Sequence, residues 1–199
     1  MSGRWTVALM LGLFLADESF TAPAVSSIAK KTVMTVLVRD TVGLDDEIKR
    51  VAKAQATRIM SDAGIDLQWI DVGGFENPHL RESLNSYLTI VIALQPPKGW
   101  TKPDVMGFAP ARTGPHPRAY VFTTLIDAFL HNFKASDRWS FAVVLGHVIV
   151  HEMGHLLIPG DAHGTGIMRS TWSFPEWQQA LEGSLLFAST HAKILRLPD

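Results

Sequence analysis

The chain has 199 residues, 47% hydrophobic and 19% charged, with a formal net charge of −1; this suits one globular domain with a sizeable core and excludes a disordered chain or a pair of ordinary domains. With no Lys/Arg cluster beyond Lys30-Lys31, charge supports neither a nucleic-acid partner nor an anionic membrane surface. The absence of cysteine excludes disulfides, thiolate metal ligands and a cysteine nucleophile.

In chain order, the first feature reads as an address. Arg4 precedes an apolar run over residues 5–16, too short for a membrane-spanning helix, which takes about 20 residues, and suited to the core of a signal peptide. Ala22 and Ala24 form an A-x-A site, so residues 1–24 are expected to be removed on export. Residues 25–199 then form a single secreted domain with no membrane association.

Residues 32–39 are rich in β-branched side chains and predict a first strand. Asp45, Asp46 and Glu47 place acids at the start of a helix, where they complement its dipole. Ile48, Ala52, Ile59 and Ala63 recur on one face of that helix, and Gly64 stops it. Residues 65–72 and 87–94 predict a second and third strand, 96–117 a loop, and 119–123 a short fourth strand. A helix opens at Ser136 or Asp137 and runs to about Ile158; it is apolar nearly all round, as in a helix that crosses a core. Pro159-Gly160 ends it. Ser173-Phe174-Pro175-Glu176 is a capping box that opens a C-terminal helix with a break at Gly183-Ser184. The expected class is α+β: a mixed, mostly four-stranded sheet with a packing helix, a buried helix and a C-terminal helix.

The buried helix carries the chemistry. His151 and His155 stand four positions apart, so they project from one helical face and can share one metal ion. Zinc suits imidazole and accepts an incomplete tetrahedral set that leaves a water bound. Glu152, beside the first histidine, can take a proton from that water, which zinc brings to a pKa of about 7. Buried in an apolar helix, three unpaired polar side chains would be costly, and metal ligation accounts for all three.

His151-Glu152-Met153-Gly154-His155, followed by Gly160, His163 and the Gly166-Ile167-Met168 turn, resembles the metzincin clan of zinc peptidases. That clan carries H-E-x-x-H-x-x-G-x-x-H and then a tight turn whose methionine underlies the metal. The motif covers residues 148–168; elsewhere the match is one of element order. The resemblance implies a zincin-like fold and an endopeptidase acting on a peptide or protein substrate. It also implies one zinc ion on His151, His155 and His163, with Glu152 as base and Met168 in the Met-turn. Ile158 stands where the pattern has glycine, and Gly160 follows two residues later. His163 keeps the interval from that glycine to the third ligand. Asp161, six residues after His155, is the alternative ligand. Substrates of such peptidases lie extended along an edge strand, for which Gly107, Phe108, Ala109 and Tyr120 are the candidates.

His147 falls on a similar face of the helix and is read as a supporting or packing residue. His79, His116, His131 and His191 have no partner at ligand spacing and are read as surface or loop residues. No tyrosine near Met168 offers itself as an oxyanion donor, which leaves that work to zinc. Two rival readings stand beside this one. In a different zincin, Glu176 or Glu182 is the third ligand. In a non-catalytic secreted module, the metal site is degenerate or structural.

Overall fold

A computed structural model describes residues 31–73, 84, 86–102, 105–110, 116–160 and 162–196. The expected signal peptide and its cleavage site, His79 and Asp161 lie outside these.

Strand β1 (Thr32–Asp40) lies inside the sheet, paired in parallel with β2 (Ile65–Val72) on one side and β3 (Leu88–Ala93) on the other. Parallel neighbours need a crossover, and α1 (Asp46–Asp62) supplies the one between β1 and β2. The side chain of Asp45 caps α1 by accepting from the backbone N–H of Glu47, and Asp46 and Glu47 occupy the first turn. Ala52, Ala56, Ile59 and Met60 form its buried face. In β3, Leu88 to Ile92 are all buried, as in a strand covered on both sides.

Among the described residues the sheet has five strands, in the order β2-β1-β3-β5-β4. This corrects the expectation of four. β5 (Arg118–Phe122) continues the parallel run beside β3, and β4 (Gly107–Phe108) adds an antiparallel edge from within the segment read as loop. A two-residue strand has no alternation to detect; its pairing with Tyr120 and Val121 creates it.

A second difference follows β5. The chain turns at once into helix α2 (Thr123–Asn132), where no helix is expected. Two threonines open α2, and its N-cap, Phe122, makes no side-chain cap bond, so local signals are poor. Burial of Ile126 and Leu130, one turn apart, holds it in place; each contributes roughly 1.5–3 kcal/mol.

Helix α3 (Arg138–Leu157) starts where Asp137 accepts from the backbone N–H of Trp139 and Ser140 at 3.0 and 2.9 Å. Its residues 140–150 are buried without interruption, and it packs against α1, α2 and the sheet. It is long and apolar enough to cross a membrane, but its apolar surface is spent inside the protein. Beyond it, Ser173 donates from both its backbone N–H and its hydroxyl to Glu176 Oε2, opening α4 (Phe174–Leu181). The break at Gly183 leads to a separate short helix, α5 (Ser189–Leu195).

Candidate metal centre

The last two turns of α3 bring His151 and His155 together, their Nε2 atoms 3.1 Å apart. Two nitrogens that each lie about 2.0–2.1 Å from one tetrahedral ion stand about 3.3–3.4 Å apart, so this pair is spaced for a shared metal. The helix ends at Leu157, and the chain returns to place His163 against both rings, with centroids 4.6 Å from His155 and 5.8 Å from His151. One ligand atom from each of the three histidines lies within 4.8 Å of the others.

The loop after His163 orients the first histidine. The backbone N–H of Arg169 donates to Gly166 O, closing a turn around Ile167 and Met168, and Gly164 N donates to Met168 O. Ile167 O lies 2.7 Å from His151 Nδ1. Only an N–H at Nδ1 can make that bond, so the lone pair of His151 is at Nε2, facing His155. Ile167 O also accepts from Trp172 Nε1 at 3.3 Å. Burial is the largest reason that the His151 imidazole is lowered to about 4, a value that keeps it neutral and able to bind a metal at physiological pH. Three imidazoles, one oriented by a backbone carbonyl, are a donor set that fits zinc.

Met168 is fully buried directly beneath this region. A Cβ at Gly154, on the turn of α3 between the two histidines, would collide with Met168 Sδ and sit 2.9 Å from its methyl carbon. Glycine is what allows the thioether to touch the helix there. Glu152 is buried on the side facing β4, where a Cβ on Gly107 would collide with Oε1 and lie 2.6 Å from Cγ. Burial pushes its carboxyl up to about 8; a cation on the neighbouring imidazoles opposes that shift and favours the carboxylate.

The candidate substrate residues are distributed differently. β4 contains Gly107 and Phe108 and pairs with β5 on one side only among the described residues, so it is an edge. Ala109 follows it. Tyr120 is on β5, where it is flanked on both sides, by Val91 of β3 and by Phe108 of β4.

Among the described residues, no other histidine joins the convergent three. His131 is exposed in the last turn of α2. His116 is no plain surface residue, since it is half-buried and stacks on Tyr87 at 4.0 Å. His191 is not the surface or loop residue expected either, being half-buried on α5 with its ring close to Gly164. Of the rival third ligands, Glu176 is committed to the cap of α4 and to Arg169 at 3.3 Å, and Glu182 ends that helix.

His147 is fully buried, with Nδ1 2.7 Å from Val143 O and no hydrogen-bond partner at Nε2. Protonation would place an unshared N–H and a charge in the core, so burial lowers the imidazole to about 4. Unfolded, it titrates near 6.5. Between those values the unfolded chain binds the extra proton, and stability falls as pH drops from about 6.5 toward 4. We expect His147→Leu to lose less stability than the wild type between pH about 7 and about 4.5, by roughly 2–3 kcal/mol. Urea unfolding at the two pH values measures the difference; equal losses would remove His147 from the acid response.

No protein-family model matches this sequence, and no curated protein does. The fold does have a counterpart. The chain is similar to the crystal structure of archaemetzincin from Methanopyrus kandleri, at 12% identity and a TM-score of 0.54, over 85% of this chain and 97% of that one. The architecture is thus zincin-like.

Proposed function

We propose that this protein is a secreted zinc endopeptidase of the metzincin type. The observation that carries this reading is the convergence of His151, His155 and His163 at the end of a buried helix, with Glu152 lining the same cavity as His151. The likeness in fold to archaemetzincin supports it, as does the turn that places Met168 under the ligand helix.

His151, His155 and His163 are the residues that hold the ion. Zinc bound there supplies Lewis acidity and acidifies a water. Glu152 accepts the proton of the attacking water at its carboxylate and returns it to the leaving amine nitrogen. Ile167 O keeps His151 in the ligating tautomer through the Nδ1 bond. Met168 fills the space under Gly154, so the turn and the helix cannot separate without opening a void. The edge of β4 aligns an extended peptide by backbone pairing, which places the scissile bond beside Glu152.

Purified mature protein is expected to contain one zinc per chain by elemental analysis. Peptide hydrolysis should vanish on chelation and return with added zinc. One bound zinc without any hydrolysis would favour the non-catalytic metal-binding module instead; no zinc at all would overturn both. Export is tested separately. Protein recovered outside the cytoplasm should begin at Val25, since Ala22 and Ala24 are the small residues at the cleavage-determining positions. An intact Met1 on that material would refute the signal peptide.

A further inference from the structure

We propose that α2 is the specificity wall of this site, and that it selects a substrate with an aromatic side chain next to the scissile bond. The inference rests on the endopeptidase reading and names its substrate class.

A cavity of about 370 Å³ adjoins His151 and Glu152, at the lower end of the range for ligand pockets, roughly 300–1,000 Å³. That is room for one large side chain rather than for a stretch of peptide. Leu125, Ala128 and Phe129 face it from α2, at the spacing of one helical face, and Phe133 extends the wall just past the helix end. Trp172 also lines it, its ring and that of His151 meeting edge to face at 5.8 Å. An occupant of the cavity therefore meets three aromatic rings.

The wall is also braced. Phe129 and Phe133 meet edge to face at 5.1 Å, and Phe133 stacks at 5.6 Å on Trp177 of α4 and touches Phe174 at 5.7 Å. Rings held from behind offer fixed faces and edges to a further ring, the arrangement aromatic pairs prefer. Charge argues the same way. The one basic residue in the lining, Arg169, is held by Glu176, whose carboxylate is also bound by Ser173.

Ala128 is the position that keeps the cavity open, being small, exposed and in the middle of the wall. A peptide set that varies one position at a time among Ala, Leu, Phe, Trp, Asp and Lys tests the proposal on the zinc-loaded full-length mature chain and its Ala128→Trp variant. Melting and zinc content serve as controls for folding. The wild type should prefer Phe or Trp over Ala at one position next to the cleaved bond by at least about tenfold in kcat/KM. In Ala128→Trp that preference should collapse while cleavage of the Ala peptide persists. The same profile in both proteins, or a charged preference in the wild type, would overturn the assignment.

A second measurement does not depend on turnover. Saturation-transfer NMR with N-acetyl-phenylalaninamide should show binding to the wild type and its loss in Ala128→Trp. Binding without hydrolysis of any peptide would leave the pocket in place and refute the enzyme. Absence of binding to the wild type would refute the pocket, whatever the enzyme cleaves. Should Ala128→Trp fail to fold, Ala128→Leu, a smaller intrusion with good helix propensity, is read in its place.

Discussion

Glu152→Ala should lower peptide hydrolysis at least about a hundredfold while the protein keeps its zinc, because acid–base groups of this kind contribute roughly 10² to 10⁴ in rate. The separation of the two effects follows from position. The nitrogens that converge belong to His151, His155 and His163, and the Glu152 carboxyl is not among them. Its side chain points instead toward Gly107 on the edge strand and into the cavity beside His151. Glu152→Gln sharpens the comparison. It preserves the side chain's shape in a space that Gly107 leaves barely open, so a matching loss of rate reports the missing proton acceptor rather than a packing defect. Steady-state hydrolysis and elemental analysis on the same preparations decide it. Cleavage by either variant at near the wild-type rate would remove Glu152 from the role of base.

His163→Ala is expected to abolish activity and to weaken zinc binding by more than about a hundredfold. Loss of a residue that merely supports a ligand costs about 10- to 100-fold, and removal of a ligand exceeds that. His151 and His155 would remain on one helix with their Nε2 atoms adjacent, but a pair of imidazoles leaves the ion without its third protein donor. The effect should be local, because His163 is exposed and its loop is anchored by its neighbours. Ala162 is buried, and Gly164 N bonds to Met168 O. Asp161→Ala should retain zinc with a milder defect. Zinc dissociation constants in the opposite order would transfer the third position to Asp161.

Much of the framework could be read from near neighbours along the chain. The cap at Asp137 and the uninterrupted apolar run define α3, because helix initiation and burial of all faces are written in consecutive residues. The capping box at Ser173 and Glu176 is equally local, with Glu176 accepting from both the backbone N–H and the hydroxyl of Ser173. The approach of His151 and His155 requires only a helix, since a four-residue interval returns the chain to the same face.

Other features depend on contacts between distant residues. β4 exists because Gly107 and Phe108 find Val121 and Tyr120, and its two residues carry no strand pattern of their own. α2 is held by the burial of Ile126 and Leu130 rather than by helix signals, so the wall it gives the cavity could not be anticipated. The Nδ1 bond of His151 reaches a carbonyl sixteen residues away, and Met168 reaches Gly154 across the same fold of the chain. The sequence by itself determined that His151 and His155 share one face and which helix presents them, because composition, caps and the 3.6-residue period act within a few positions. The tertiary structure alone decided where His163 arrives, what Glu152 faces and how large a side chain can lie beside it, because those are distances between segments that meet only when the core closes.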